Sequence, residues 1–241
     1  MKKSNLFLLV AAIILFVSLA IYNTNLRAEY LTGTYKDPYR NFKTLNFKEF
    51  DAIVINAGNG ANVSLKQGDF QVRVREKATE YIKFKLVNQQ LVLDVDYLNN
   101  AGYLNGQEHV VITLPFLKSL RFVTKLVDTP KEKNYTYYTI GSTIRVNGFN
   151  QDSLFIQHEN LSRIDLTANK LAYLHAITGY NVGTGSLLHI SKNNIIAQAH
   201  LDIRDKGELT IQNVFIPQLT YQFSDSAKVN LTGAALAILK K

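Results

Sequence analysis

The sequence predicts an all-β protein, a β-solenoid preceded by one N-terminal transmembrane or signal helix, with a β-sandwich of short strands as the alternative. Three observations carry that expectation. Triplets of the form apolar–any–apolar recur roughly every ten residues between Thr143 and Leu239, which is the period of two of a half-buried strand. Asn, Asp and Gly separate the triplets, and these residues accept positive φ or bond to their own backbone. The long apolar run, Leu6 to Ile21, lies at the N-terminus. A three-residue strand cannot hide its apolar side alone, so such units must be stacked on one another.

Met1-Lys2-Lys3 precedes the apolar run, and the next charge after it is Arg27. That pattern is an export signal. We read residues 6–22 as a retained anchor in the inner membrane, within a signal-anchor segment 1–25, with cleavage near Ala20 and secretion as the alternative. Tyr22, Arg27 and Tyr30 suit an interfacial belt. Lys2 and Lys3 keep the N-terminus in the cytoplasm, which places the rest on the periplasmic, extracytoplasmic side. The net charge of +8 invites a nucleic-acid partner, and this topology argues against one. With no Cys, disulfides, thiolate metal sites and a Cys nucleophile are excluded.

Residues 26–46 lack periodicity and read as a tether, and 47–241 as the β-domain. Its first strands are expected at Ala52 to Ile55, Val63 to Leu65, Phe70 to Val74, Tyr81 to Val87, Leu91 to Val95, Val110 to Leu114 and Leu120 to Val123. Later triplets run from Leu154-Phe155-Ile156 to Leu236-Ala237-Ile238. Residues 96–108 and 128–142 read as loops, and no helix is expected beyond the anchor.

Phe50-Asp51-Ala52-Ile53-Val54-Ile55, the Gly58/Gly60 turn and Val63-Ser64-Leu65-Lys66-Gln67-Gly68-Asp69 resemble the opening of the auto-transporter adhesin, head GIN domain family of Bacteroidetes-type exported proteins. Leu91 to Val95 and Val110 to Pro115 are similar to its next two strands, and Gly183-Thr184-Gly185-Ser186 to its glycine- and serine-punctuated repeats. The resemblance spans nearly all of residues 47–239. It implies a right-handed, single-stranded β-helix at the cell envelope and brings no catalytic residues.

Candidate ligand contacts are few. Arg73, Arg75, Lys83 and Lys85 alternate with apolar residues and suit anionic headgroups or an acidic polysaccharide, although such alternation usually marks a solvated, edge-protecting face. Tyr135, Tyr137 and Tyr138 suit stacking on sugar rings, or a flap over one end of the domain. His158, His175, His189 and His200 lie in or beside strands at irregular spacings, so no metal site is expected. Asp94 and Asp96 share a strand face at a spacing of about 7 Å, but no other part of a glycosidase site is visible. The glycine clusters lack the Lys-Ser/Thr of a phosphate loop, and no Gly-x-Ser-x-Gly elbow occurs. No cofactor is expected. These readings together describe a non-enzymatic, membrane-anchored envelope protein offering a rigid surface to a protein or glycan. The alternative is a β-helix enzyme, a hydrolase or lyase degrading polysaccharide.

Overall fold

The computed structural model describes residues 3–56, 60–96, 107–123, 142–159, 162–180 and 185–240. The chain divides into two compact units, Met1–Phe42 and Lys43–Lys241. The first holds α1 (Lys3–Thr32), none of whose residues is buried. Its mean hydropathy reaches 2.6, and by length and composition it can cross a membrane. Gly33, at φ 69°, ends the helix, its N–H donating back to the Tyr30 carbonyl.

Strands build the second unit. They are β1 (Phe42–Leu45), β2 (Ala52–Asn56), β3 (Val63–Gln67), β4 (Gln71–Arg75), β5 (Ile82–Val87), β6 (Gln90–Val95), β7 (Val110–Leu114) and β8 (Ser119–Val123). Then come β9 (Ser142–Asn147), β10 (Asn150–His158), β11 (Ser162–Thr167), β12 (Lys170–Thr178), β13 (Leu187–Ile190), β14 (Ile195–Ile203), β15 (Glu208–Gln212), β16 (Gln218–Phe223) and β17 (Lys228–Thr232). β1 lies within the stretch read as a tether, and β9 within sequence not singled out as a strand.

The expected β-solenoid is corrected by the topology. No closed solenoid is formed; the described strands make two large sheets, nine-stranded (β1-β4-β7-β3-β9-β11-β13-β15-β17) and eight-stranded (β16-β14-β12-β10-β8-β2-β6-β5). This two-layer arrangement matches the sandwich alternative more than a single-stranded β-helix. Both sheets are mixed, because β4 runs antiparallel to β7 and β5 antiparallel to β6. The second exception has a local cause: Asn88 and Gln89 both adopt positive φ, 48° and 61°, in a two-residue hairpin turn. The last triplet is also corrected, since Leu236-Ala237-Ile238 lies in the 3-10 helix Gly233–Lys240, and a shorter 3-10 turn occupies Glu76–Glu80.

From β9 onward successive strands go to opposite sheets and pair in parallel with the strand two places away. The register places like side chains above one another. One inward column is Leu154, Leu174, Ala199 and Leu219; another, from the facing sheet, is Ile164, Leu188, Leu209 and Val229. Each fully buried aliphatic side chain contributes about 1.5–3 kcal/mol, and the core between the sheets is made of these columns.

Asparagines hold the turns between the sheets. Asn169, 1% exposed, accepts from the Phe149 N–H through Oδ1 at 3.0 Å, and its Nδ2 donates to the Val146 carbonyl and to Asn194 Oδ1, both at 3.0 Å. Asn194 in turn donates through Nδ2 to the Leu166 and Ser191 carbonyls. Backbone groups that no strand ladder satisfies are satisfied by this stacked pair. Gly179, at φ 76°, marks a tighter constraint, because a Cβ there would meet the Arg204 carbonyl oxygen.

Asn169→Ala strands the buried Phe149 N–H and unpairs Asn194, and the expected loss is roughly 2–4 kcal/mol in urea unfolding. Lys192→Ala, on an exposed side chain of the neighbouring turn, is expected to change stability by less than about 0.5 kcal/mol in the same measurement.

Candidate functional site

The outer face of the eight-stranded sheet is where rings collect. Alternation on β10, β12 and β14 sends Leu154, Leu174 and Ala199 into the core and their neighbours outward. Parallel pairing sets Phe155 beside His175, His175 beside His200 and His200 beside Thr220. Adjacent parallel strands lie about 4.8 Å apart, so rings in register must meet edge to face. The Phe155 and His175 centroids are 5.1 Å apart at 65°, those of His175 and His200 5.1 Å apart at 68°, and Tyr173 flanks His175 at 6.4 Å. His200 Nδ1 and Thr220 Oγ1 share a 2.9 Å hydrogen bond at the end of the row.

On either side run columns of mixed character. Ser153, Tyr173 and Gln198 are in register along one, and Gln157, Ile177 and Asp202 along the other. Burial, the nearby His200 and, in the opposite sense, Asp202 act on His175, and the balance holds its pKa below the usual imidazole value. Asp202, 6% exposed, is tied to Arg204, whose Nε donates to Oδ2 at 2.7 Å and whose guanidinium lies 5.6 Å from the Tyr180 ring centroid. That bond, more than any other influence, raises the Arg204 pKa. Arg204 thus already occupies one oxygen of the Asp202 carboxylate.

The residues singled out from sequence are distributed as follows. Arg73 and Arg75 lie on β4 in the nine-stranded sheet, while Lys83 and Lys85 lie on β5 in the eight-stranded sheet, so the four are not on one strand face. Arg75 Nε donates to the Glu108 carbonyl, Lys83 Nζ to the Thr79 carbonyl, and Lys85 forms an ion pair with Asp94. Asp94 also accepts from Asn56 Nδ2 at 2.7 Å, and that bond first, then Lys85, holds its carboxyl below the usual carboxylate range. Tyr135, Tyr137 and Tyr138 lie outside the described residues, as do Gly58, Gly183 and Thr184.

Of the four histidines, the fold brings together only His175 and His200. His189 lies on β13 and bonds to Asp165 Oδ1 at 3.0 Å, beside Arg163. His158 is in the core, hydrogen-bonded through Nε2 to Ser162 Oγ and edge-on to Phe122 at 5.5 Å. Among the described residues no group of three or more His, Asp or Glu side chains is placed to hold a metal ion. Phe155 and Tyr173 were not picked out from sequence. Their neighbourhood depends on strand register, and the strand-to-strand offset changes along the stack, Asn150 pairing with Lys170 but Lys170 with Ile195.

Burial lowers the His158 pKa to about 3, well below the ordinary imidazole value of 6.5. Folding therefore holds the ring neutral, and the unfolded chain takes up the proton first on acidification. This contribution is complete above about pH 6.5 and is lost as pH falls towards about 3. We expect the stability of the protein to decline over that window, His175 adding in the same direction. His158→Gln, whatever its effect at pH 7, is expected to flatten the slope of unfolding free energy against pH by up to about 1.4 kcal/mol per unit. Denaturant titrations at a series of pH values check this, and an unchanged slope contradicts it.

Comparison with known proteins gives a likeness of fold. No family model matches the chain, and no curated protein matches it. Among solved structures, a candidate adhesin from Parabacteroides distasonis ATCC 8503 shares 13% identity, over 80% of this chain and 73% of that one, with a TM-score of 0.55. A candidate adhesin from Bacteroides fragilis NCTC 9343 shares 11%, over 79% and 96%, with a TM-score of 0.43. A candidate lipid-binding protein from Parabacteroides distasonis ATCC 8503 shares 9%, over 80% and 94%, with a TM-score of 0.35. The last two superpose too loosely to carry an argument, and the first establishes that this chain shares its fold with a protein named as a candidate adhesin.

Proposed function

We propose that this chain is a non-enzymatic binding protein of the cell envelope, which presents the outer face of its eight-stranded sheet to a glycan. Residues 6–22 anchor it in the inner membrane, the segment between α1 and β1 tethers it, and the β-domain lies on the extracytoplasmic side. The exposed, apolar α1 and the two lysines before it support that topology. The shared fold with a candidate adhesin supports a place near the head GIN adhesins, on the residues that resemble that family.

One observation carries the glycan reading: the row Phe155, His175 and His200 in register, with Tyr173 beside it, bordered by serine, threonine and glutamine side chains. Aromatic faces stack on the apolar faces of sugar rings, while amides and hydroxyls exchange hydrogen bonds with sugar hydroxyls. Arg73, Arg75, Lys83, Lys85 and the tyrosines 135, 137 and 138 are secondary contacts in this reading. Acid–base hydrolysis needs two available carboxyl groups flanking the bond to be cut. On this face Asp202 is bound to Arg204.

The test is a glycan array probed with the full chain in detergent micelles, run beside a reducing-sugar release assay. We expect retention of at least one glycan class without release. Phe155→Ala combined with Tyr173→Ala is expected to weaken that binding roughly tenfold or more, about 1.4 kcal/mol or above, at unchanged circular dichroism. Release of sugar would make the protein a polysaccharide-degrading enzyme instead. Neither binding nor release would leave a structural role.

A further inference from the structure

Both sheets end, on the same side, at strands with little protecting charge: β16 has none, and β17 has Lys228 at its first position alone. β16 pairs with β14 and β17 with β15, each at the last position of its sheet. Their outer backbone edges are templates for another strand. At the opposite margins β5 carries Lys83 and Lys85 and β1 carries Lys43, the usual means of blunting an edge. Within β16, from Gln218 to Phe223, there is neither a charged residue nor a proline, and the stretch from Val229 to Leu239 is also uncharged.

Among the described residues, the inward columns end here under only a partial cover. Between β16 and β17 is an apolar cavity of about 400 Å³, lined among others by Leu219, Tyr221, Phe223, Val229 and Leu231. Tyr221 is 56% exposed although its column partner Leu201 is fully buried. The 3-10 helix Gly233–Lys240 shelters part of the opening, with Ala235 buried beneath it, yet it leaves Leu236 and Leu239 46% and 70% exposed.

We propose that this end is an interface between two copies of the chain, related by a two-fold axis, in which the two β16 edges pair antiparallel and the two cavities close on each other. A second copy satisfies what the end presents. It supplies backbone donors and acceptors for the free edge, which an acyl chain does not. An isologous contact uses one self-complementary patch twice, and an uncharged β16 at its centre limits like-charge repulsion between copies that each carry +8. The elements forming the end, of 6, 5 and 8 residues, come close to the roughly 20 residues per partner of a standard stable interface.

The chain has no cysteine, so single cysteines report on the contact without background. Gln218→Cys, Thr220→Cys and Gln222→Cys, made one at a time in the full chain in detergent micelles, are oxidised and run on a non-reducing gel. The position nearest the two-fold axis should link most of the chains into dimers, whereas Lys85→Cys on the β5 edge should not. Light scattering should give twice the monomer mass for the native chain, and that mass should halve in the Gln218→Lys, Gln222→Lys double variant, whose thermal transition and circular dichroism report its folding. A monomeric native chain overturns the proposal, as does cross-linking at Lys85→Cys equal to that on β16, or a dimer that survives the two added charges in a folded variant. A monomer that native mass spectrometry finds loaded with a lipid assigns the cavity to an acyl chain and also overturns it.

Discussion

Everything in the β-unit depends on one constraint: strands of four to nine residues bury their apolar sides only if the strand alongside continues the same column. Leu188 is fully buried because Ile164 precedes it and Leu209 follows it in register across three parallel strands. Neither neighbour is close to it in sequence. Stability is therefore spread along the stack, and a slip of one residue in any strand would turn its whole apolar set outward. The buried asparagines answer that risk. Asn169 and Asn194 fix the height of one turn against the next by bonding to each other and to backbone groups on both sides. Their contribution to register is as important as any energy they add.

Much of the strand content was legible, and the physical reason is local. Period-two alternation is a property of five consecutive residues, so the triplets at Leu154, Ile164, Leu174, Leu209 and Leu219 all fall within strands. Pairing is not local. The sequence does not say whether a strand's partner is the next one, the one two places on, or a hairpin neighbour, and so the closed solenoid expected from the spacing had to give way to two mixed sheets. Leu236-Ala237-Ile238 shows a second limit. The same apolar–any–apolar signature that marks a strand elsewhere sits in a 3-10 helix here, after Gly233 turns at φ 60° against Asn213.

The candidate site was less legible than the fold for the same reason. Phe155, Tyr173, His175 and His200 belong to three strands, and their offsets differ because the turns differ in length. The histidines looked like scattered, unrelated residues, and three of the four do lie on one sheet. Facing decides their chemistry. His158 stands in an inward column with Thr178 and Ile203, where burial removes its charge; His175 stands outward one strand away, where it joins other rings. In the same way Asp94 looked like half of a carboxylate pair, but Asn56 and Lys85, both from neighbouring strands, already occupy its oxygens.

The constraint that builds the core also prepares the surface. A side chain on the outer face cannot drift relative to its neighbours, because the backbone beneath it is held in register by the inward columns and the asparagine turns. Binding ordinarily costs about 0.5–1.5 kcal/mol for each rotamer-rich side chain that must be immobilised. Rings such as Phe155 and Tyr173 have only two side-chain torsions, and here contact with His175, edge to face across strands for Phe155 and along the same strand for Tyr173, restricts them before any ligand arrives. A weak, extended ligand such as a glycan offers little apolar area per sugar, so its affinity depends heavily on how much ordering has been done in advance. A stacked sheet whose outer rings are set at strand spacing meets that requirement without a deep pocket, and without the converging acid and base groups that catalysis would demand.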